Sequence, residues 1–485
     1  MIDSTLLKRP EGYIDGQWTA ADDGGTFEVL NPANCKALAE VPAMGDGETR
    51  RAIAAAKRAL RLAPPYSLAR RREWLTDIRD ALLDEKEEIG RILCLEHGKP
   101  WKEAQGEVEY AAGFFDYCAR HLDLLASRKL EERPKGCDWE VHFRPIGVAA
   151  LITPWNFPIG MIAKKLSAAL AAGCPTVIKP ASETPLTMIA AFTLMHERVD
   201  LPPGMVNLVM GRAGPIGDLL CAHPDVPMLS FTGSTEVGKG LIDKSRDQVK
   251  KLALELGGNA PFIVFDDADL DAAADNLIGN KFRGGGQTCV CANRIYVQAG
   301  IAEAFADKLV ERVKALRVGD GMDDDIDIGP LINRAGFEKV RRHVADALAK
   351  GGTLLAGKHP DDLDPDRGLF YPPTVVAGVT PEMECTREET FGPFVPMITF
   401  DDEDEAVTAG NDTEFGLAAY VFTGDDERAA RVIAGLRFGH VGWNTGTGPT
   451  PEAPFGGMKL SGIGREGGEE GLMEYVEPQT VPRGG

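Results

Sequence analysis

The chain has 485 residues, of which 44% are apolar and 26% are charged. This balance is typical of a globular protein with a large core, and the length predicts two to four packed units at about 150 residues per domain. A largely disordered chain is excluded. The formal net charge of −21 disfavours nucleic acid and anionic membrane surfaces as partners, because both would be repelled.

The nine cysteines are scattered along the chain without the paired spacing of a disulfide framework. Reduced thiols in a cytoplasm are the natural interpretation. The first fourteen residues lack the apolar run of a signal peptide, and nowhere do about 18 apolar residues follow one another, as a membrane span would require. We therefore expect a cytoplasmic protein without a membrane anchor.

In chain order, the first predicted elements are helices at Glu48–Leu62 and Ala69–His97, followed by an extended segment at Cys137–Val148. Short apolar strands then alternate with helices, which indicates parallel strands joined by right-handed crossovers. The predicted elements of this set are strands Val148–Thr153, Thr176–Lys179, Val206–Met210 and Met228–Phe231 and helices Ile159–Ala172 and Thr187–Arg198.

A second alternating set begins near Ala260, so two α/β units are predicted to meet near residues 254–260. The extended segment Cys137–Val148 and the C-terminal tail could pair as a projecting hairpin or edge for subunit contact. The elements of the second set are strands Pro261–Phe265 and Arg294–Gln298 and helices Asp269–Phe282, with Asp269 as the N-cap, and Ile301–Leu316.

The sequence GQTCVC, Gly286–Cys291, lies on a glycine-rich loop at a predicted helix end. A nucleophilic thiol needs access and a lowered pKa, and the glycines would leave room for a substrate beside Cys289. Taken alone, a buried structural cysteine is an equally good interpretation, since free cysteine is commonly a core residue. Cys291 could form a reversible disulfide with Cys289 or simply fill the core.

Two further motifs have both a functional and a structural interpretation. Glu255, in LELGGNAP, follows an apolar strand and precedes a Gly-Gly turn. A half-buried carboxylate there would have a raised pKa and could act as a general base, although a lone glutamate is usually solvated or capped. Asn156, in TPWNFP, could direct its amide at a developing oxyanion or simply close a turn between two prolines.

A second pair of motifs indicates phosphate and ribose binding. FTGSTEVG runs from a strand into a helix and would place Gly233 and Ser234 at the helix N-terminus, where free amides favour an anion. Its glycine spacing differs from the common dinucleotide fingerprint, so this motif is weak by itself. Lys179, in KPASETP, lies directly at a strand end, where a dinucleotide ribose would lie.

These five motifs, in the chain order TPWNFP, KPAS, FTGSTEVG, LELGGNAP and GQTCVC, resemble those of the aldehyde dehydrogenase superfamily. EETFGP and PFGGMKLSGIGREGG extend the resemblance from about Gly12 to Val481. The sequences LELGGNAPFIVFDDADLD and GQTCVCANR are most similar to its NAD(P)-dependent succinate-semialdehyde dehydrogenase branch. The resemblance implies an α/β fold with a Rossmann-like cofactor domain, an α/β catalytic domain and a small β oligomerisation arm.

The resemblance also implies domain bounds and an assembly. Residues 1–122 and 146–255 would form the NAD(P)-binding domain, residues 256–450 the catalytic domain, and residues 123–145 and 468–485 the oligomerisation arm. The expected assembly is a homodimer or homotetramer.

Matched motif by motif, the resemblance implies roles for individual residues. Cys289 would be the nucleophile and Glu255 the general base. Asn156 and the backbone N–H of Cys289 would form the oxyanion hole, and no metal ligand is implied. The positions that match cofactor contacts are Trp155, Asn156, Lys179, Ser182, Gly233, Ser234, Leu256, Glu389 and Phe391.

The implied activity is oxidation of a small aldehyde to a carboxylic acid through a thioester on Cys289. Family members that exclude the phosphorylated cofactor often carry a carboxylate at the position of Ser182, which would repel a 2′-phosphate. Because Ser182 removes that repulsion and Lys179 supplies positive charge, we expect NADP to be accepted, with NAD as well. Glu183, the next residue, opposes this expectation.

The expected substrate is an ω-carboxy semialdehyde such as succinate semialdehyde. Arg283 stands six residues before Cys289, as the family pattern requires, and Lys164 replaces a second arginine. Lysine keeps the charge but loses the bidentate fork. Thr450, with Pro449, occupies the region of an expected serine. Glutarate semialdehyde or an uncharged aldehyde is the alternative substrate, and a structural ion pair is the alternative role for Arg283.

Three other classes of function are alternatives to this one. A CoA-acylating dehydrogenase would not need Glu255. A non-catalytic scaffold would be expected to have lost Cys289, Glu255 or Asn156, all of which are present. A thiol hydrolase using Cys289 would need a histidine, and none lies near it in the sequence.

Overall fold

The computed structural model describes residues 2–62, 66–132 and 136–484. Its helices are α1 (Asp46–Leu62), α2 (Leu68–Asp84), α3 (Lys86–His97), α4 (Trp101–Arg120), α5 (Gly160–Ala172), α6 (Leu186–Arg198), α7 (Ala213–Ala222), α8 (Thr235–Ser245), α9 (Leu270–Lys281), α10 (Ala302–Ala315), α11 (Arg334–Ala349), α12 (Glu384–Arg387), α13 (Glu403–Asn411), α14 (Asp426–Gly435) and α15 (Gly468–Met473). Its strands are β1 (Gly12–Ile14), β2 (Gln17–Thr19), β3 (Thr26–Leu30), β4 (Ala37–Pro42), β5 (Arg128–Lys129), β6 (Cys137–Pro145), β7 (Ala149–Ile152), β8 (Thr176–Lys179), β9 (Val206–Leu208), β10 (Met228–Thr232), β11 (Lys251–Glu255), β12 (Ala260–Val264), β13 (Ala292–Gln298), β14 (Thr353–Ala356), β15 (Thr374–Ala377), β16 (Phe394–Phe400), β17 (Phe415–Gly416), β18 (Ala418–Phe422), β19 (His440–Trp443), β20 (Met458–Lys459), β21 (Gly462–Ile463) and β22 (Val476–Gly484).

The first large sheet has eight strands in the order β2-β1-β9-β8-β7-β10-β11-β21, and its central strands from β9 to β11 are parallel. Successive residues of β7 enter different cores. Ala149 and Leu151 pack with α2 to α6, whereas Ala150 and Ile152 pack with α1 and α7. Both faces are therefore covered, which explains why these strands are continuous apolar runs.

The second large sheet has seven strands in the order β14-β15-β16-β13-β12-β18-β19, all parallel except the edge strand β14. It too is buried on both faces, with Phe262 and Val264 in one core and Ile263 and Phe265 in the other. The α/β fold class is as predicted.

The predicted pairing of the extended segment with the C-terminal tail is confirmed. Strand β22 pairs antiparallel with β6 from Val476↔Pro145 to Gly484↔Cys137, and β5 adds a third strand. Residues 133–135 and 485, which the predicted arm includes, lie outside the described residues. In the parts of the chain that the structure describes, no helix is long and apolar enough to cross a membrane.

One predicted helix is wrong in its extent. The segment Ala69–His97 forms two helices, because Glu85 leaves the helical conformation with φ −105° and ψ 19° between α2 and α3. The predicted N-cap of α9 is confirmed, since the Asp269 side chain accepts hydrogen bonds from the N–H groups of Asp271 and Ala272.

The carboxyl ends of the parallel strands bring the sequence motifs together. Strand β7 leads into the loop that carries Asn156, β8 ends at Lys179, and β10 leads into Gly233. Strand β11, beside β10, ends at Glu255. This edge of an open α/β sheet is where such folds bind ligands.

Candidate active site

The loop before Cys289 is shaped by three consecutive glycines. Helix α9 is followed by a 3₁₀ turn at Arg283–Gly286, in which Gly284, Gly285 and Gly286 have φ values of 60°, 67° and 76°. Side chains rarely tolerate this left-handed backbone. A Cβ on Gly286 would also lie 2.3 Å from the carbonyl oxygen of Gly392. The glycines therefore fix the path of the chain that presents Cys289.

Cys289 lies between two cavities. The larger is a cleft of about 350 Å³, and the smaller is a narrow cavity of about 20 Å³. Residues 283–289, which carry the predicted nucleophile Cys289, are called the nucleophile loop. Both cavities are lined by the half-buried Cys289. A thiol placed in this way can meet a small substrate from one side and a larger ligand from the other.

Seven of the nine predicted cofactor residues line the larger cleft. These are Trp155, Asn156, Gly233, Ser234, Leu256, Glu389 and Phe391. Lys339, on α11, also lines this cleft, and the sequence analysis missed it because it lies in an ordinary amphipathic helix with no motif around it.

The other two predicted cofactor residues lie outside this cleft. The Lys179 ammonium donates to the carbonyl of Pro180 at 2.8 Å, and burial lowers the pKa of Lys179 to about 8. The Ser182 hydroxyl donates to the carbonyl of Gly211 at 3.2 Å. Lys179 ends β8 and Ser182 follows it, two strands away from β10, so they could contact only a part of a ligand that is remote from Cys289.

Glu255 is more deeply buried than the sequence suggested, with 4% of its surface exposed rather than about half. Among the described residues, neither of its carboxylate oxygens has a hydrogen-bond partner. Burial and the nearby carboxylate of Glu466 raise the pKa of Glu255 well above its ordinary value, against the opposing charges of Lys164 and Lys165. A buried carboxylate with a raised pKa has the properties of a general base.

The expectation of a lowered thiol pKa is wrong for this structure. Burial raises the pKa of Cys289 to about 12, and the carboxylates of Glu389 and Glu255 contribute in the same direction, against Lys164. The sequence could not show that segments distant in the chain pack around this half-buried thiol and bring two carboxylates near it. At neutral pH the thiol keeps its proton, and the small thiolate fraction rises with pH.

Asn156 is buried beside the nucleophile loop. Its side-chain Nδ2 donates to the backbone carbonyl of Gln287 at 3.0 Å. An amide nitrogen carries two hydrogens, so one remains for another acceptor near Cys289. The simple turn-closing interpretation is insufficient, because this side chain links two loops that are far apart in the sequence.

The narrow cavity holds two of the three predicted substrate residues. Its lining residues are Tyr110, Phe157, Met161, Lys164, Arg283, Thr288, Cys289, Val290, Pro449 and Phe455. Thr450 is absent from this lining, because its hydroxyl turns away and bonds to the carboxylate of Glu452. Pro449 lines the cavity in its place.

The two cations of the narrow cavity have different surroundings. Within the described ranges, no carboxylate forms an ion pair with Arg283, whose guanidinium lies 5.0 Å from the ring centre of Phe157. The alternative of a structural ion pair is therefore not found. Burial opposes the charge on Lys164, but Tyr110 and Glu466 outweigh it and raise the pKa of Lys164, so this lysine stays positive.

Cys291 lies next to a buried lysine. Its thiol donates to the carbonyl of Gly286 at 3.3 Å, and its sulfur lies 3.7 Å from the Nζ of Lys281. Cys291 is buried in the domain core, whereas Cys289 reaches both cavities.

Residues 18–481 match the profile of the Aldehyde dehydrogenase family. The chain belongs to the aldehyde dehydrogenase family. It is 45% identical over 479 residues to the NADP(+) succinate-semialdehyde dehydrogenase of Escherichia coli (strain K12), covering 98% of each chain. It is 44% identical over 482 residues to the glutarate-semialdehyde dehydrogenase of Pseudomonas aeruginosa, covering 99% of this chain and 98% of the other.

A solved structure is also similar over the whole chain. The crystal structure of an oxidoreductase from Marinobacter aquaeolei has 68% sequence identity and a TM-score of 0.98, and each chain is covered completely.

The larger cleft fits the dinucleotide that aldehyde dehydrogenases use. Ser234 caps α8 by accepting from the N–H of Val237 and also lines the cleft, so the cleft includes a helix N-terminus, where an anion is favoured. A Cβ on Gly233 would lie 2.4 Å from the ring of Phe231, so a larger residue here would force that ring to move. Burial raises the pKa of Glu389 to about 7, and its carboxylate accepts from the N–H of Gly258 at 3.2 Å.

Proposed function

We propose that this aldehyde dehydrogenase oxidises an ω-carboxy semialdehyde, such as succinate semialdehyde, to the dicarboxylic acid with NADP or NAD. One observation carries the proposal: the narrow cavity that ends at Cys289 also holds Arg283 and Lys164. An aldehyde whose far end is a carboxylate would place its aldehyde carbon at Cys289 and its carboxylate at Arg283 and Lys164. The two semialdehyde dehydrogenases similar to this chain support the same substrate class.

The first half of the reaction forms a bond to sulfur. The Cys289 thiolate attacks the aldehyde carbon, and the oxyanion that results is held by the free hydrogen on Asn156 Nδ2 and the backbone N–H of Cys289. Each such donor is worth about 3 kcal/mol. A dinucleotide held by the residues that line the larger cleft would supply the hydride acceptor. Loss of hydride leaves the acyl group as a thioester on Cys289.

The second half releases the acid. Glu255 removes a proton from a water molecule, which attacks the thioester carbon and expels the Cys289 thiolate. The unpartnered, buried carboxylate of Glu255 supports this role, because it has no competing hydrogen bond among the described residues. The same carboxylate argues against transfer to CoA, which would not require a base for water.

Arg283→Ala is expected to lower kcat/KM for succinate semialdehyde by about 10- to 100-fold, the value of a hydrogen bond to a charged group. An uncharged aldehyde of the same length should lose less than about threefold, because it makes no such bond. Steady-state reduction of the nicotinamide, followed at several substrate concentrations, measures both values.

The matched control is Arg317→Ala, which removes an exposed arginine paired with Asp325 at 3.3 Å. This variant should behave as the wild type with both aldehydes. Equal losses for the charged and the uncharged aldehyde in Arg283→Ala would contradict the anchoring role. Comparing succinate and glutarate semialdehydes in the same assay sets the preferred chain length.

Activity is expected to rise with pH. Glu255 works as the carboxylate, and its raised pKa means that this form is lost as pH falls through a value above the ordinary 4.5. The Cys289 thiolate fraction also rises with pH, towards a pKa of about 12. A profile of kcat against pH measures the limb due to Glu255. A flat profile, or activity that falls from pH 6 to pH 8, would contradict this assignment.

We also propose the domain bounds given above, a homodimer or homotetramer, and a cytoplasmic location. The three-stranded sheet of β5, β6 and β22 supports the assembly, since the residues of β22 after Val476 are exposed in a single chain. The cysteines of the described residues are free thiols, which fits a reducing compartment.

A further inference from the structure

Helix α4 faces the active site with side chains at helical spacing. Glu103, Glu107 and Tyr110 are four and three residues apart, so they lie on one side of the helix. Tyr110 lines the narrow cavity. The two glutamates contact the loops on either side of it, and neither was singled out by a sequence motif.

Glu107 is a buried carboxylate with both oxygens in use. Its Oε1 accepts from the backbone N–H groups of Ile159 at 3.0 Å and Gly160 at 3.1 Å, where α5 begins. Its Oε2 pairs with the Nζ of Lys99 at 2.5 Å, and each side chain is only 1% exposed. The pair is therefore shielded from solvent.

Lys99 extends this link to the loop of Asn156. Its Nζ donates to the backbone carbonyl of Asn156 at 2.9 Å and lies 4.1 Å from the ring centre of Phe157. One ammonium group thus joins Glu107 to the backbone of the residue whose amide lies beside the nucleophile loop. The loop is held at residue 156 by Lys99 and at residues 159 and 160 by Glu107.

The same helix also holds the nucleophile loop. Glu103 Oε2 accepts from the backbone N–H of Gly284 at 2.8 Å, five residues before Cys289. Helix α4 therefore contacts both the loop that carries Asn156 and the loop that carries Cys289. The two loops are thus joined through α4 as well as by the direct hydrogen bond from Asn156 Nδ2 to the carbonyl of Gln287.

We propose that Lys99 and Glu107 are positioning residues that fix the amide of Asn156 relative to Cys289. This inference rests on the proposed role of Asn156 as an oxyanion donor. A buried ion pair is weak support for stability, because an apolar pair of similar volume is often as stable. We expect this pair to contribute to the rate by fixing positions, since a misplacement of about 1 Å in a reacting group can lower the rate by about 10²-fold.

The test is the double variant Lys99→Met/Glu107→Gln. It removes both charges together, and the glutamine keeps an oxygen for the N–H groups of Ile159 and Gly160. The rate of hydride transfer in a single turnover should fall by about 10- to 100-fold. The dissociation constant of NADP and the circular dichroism spectrum should not change.

The matched control is Lys86→Met/Glu109→Gln. This second lysine–glutamate pair, with N and O 2.7 Å apart, also includes a residue of α4, but it is solvent-exposed. It should leave hydride transfer at the wild-type rate. A loss equal to that of the buried pair would overturn the proposal.

A readout specific to positioning comes from the Asn156→Ala background. If the pair acts through Asn156, adding Lys99→Met/Glu107→Gln to Asn156→Ala should slow hydride transfer by less than about twofold, as expected for residues acting as a unit. The same full loss in both backgrounds would overturn the inference. Asn156→Ala with the wild-type rate would overturn the oxyanion role itself, and the inference with it.

A single variant tests the proposal if the double variant does not fold. Glu107→Gln alone keeps Lys99 and the acceptor for α5, and it should slow hydride transfer in the wild-type background but not in Asn156→Ala. An unchanged rate in the wild-type background, while Asn156→Ala is slow, would overturn the positioning role alone.

Discussion

Cys289→Ala is expected to lower kcat by about 10⁴-fold or more, because the covalent intermediate loses its only attachment point in the proposed mechanism. Binding of NADP should persist, since the residues that line the larger cleft remain in place. Steady-state assays at high enzyme concentration measure the loss, and fluorescence titration measures the binding. Mass spectrometry of the intact protein should detect an acyl adduct in the wild type and none in the variant.

Cys291→Ala is the matched control, two residues further along the same loop. Its thiol faces Lys281 and the Gly286 carbonyl rather than either cavity, so turnover should stay close to that of the wild type. Turnover that survives in Cys289→Ala and is lost in Cys291→Ala would contradict the assignment of the nucleophile. Peroxide that inactivates the wild type but not Cys291→Ala would support a disulfide between Cys289 and Cys291.

Glu255→Gln is expected to lower kcat by about 10²- to 10⁴-fold, the usual contribution of a general base. The amide cannot take a proton from water, so the thioester should accumulate to nearly one acyl group per subunit. Glutamine has almost the same shape, so the buried site keeps its packing. Rapid-quench mass spectrometry after mixing with aldehyde and NADP measures the accumulated acyl-enzyme.

Two results would contradict the role of Glu255. One is an acyl-enzyme that disappears as quickly in Glu255→Gln as in the wild type. The other is a kcat against pH profile with the same acidic limb in both proteins, because that limb would then belong to another group. Glu414→Gln, a change of the same type outside the strands of the two large sheets, controls for the loss of one negative charge.

The sequence predicted the central strands well, for a physical reason. A parallel strand buried on both faces must be a short apolar run, and Thr176–Lys179 lies between Pro175 and Pro180. The boundary between α2 and α3 could not be predicted, since no glycine or proline marks Glu85. The change there depends on packing of the two helices rather than on local propensity.

The site was predictable where the backbone conformation restricts the choice of residue. The glycines before Cys289 indicated an unusual loop, and all three have positive φ. Side-chain direction was not predictable. Thr450 does not line the narrow cavity, and its hydroxyl bonds to Glu452. The high pKa of Cys289 also escaped prediction, because desolvation depends on segments distant in the sequence.

Strand β21 has a consequence for how the enzyme folds during its synthesis. It pairs with β11 through Leu254↔Ile463 and Glu255↔Gly462, and Gly456 lies close to the Glu255 carboxylate. The dry environment of Glu255 is thus completed by chain that the ribosome delivers about 200 residues later than Glu255 itself. A nascent chain would hold a hydrated, ordinarily acidic Glu255 until the segment that contains Gly456 and β21 has been made and has packed beside it.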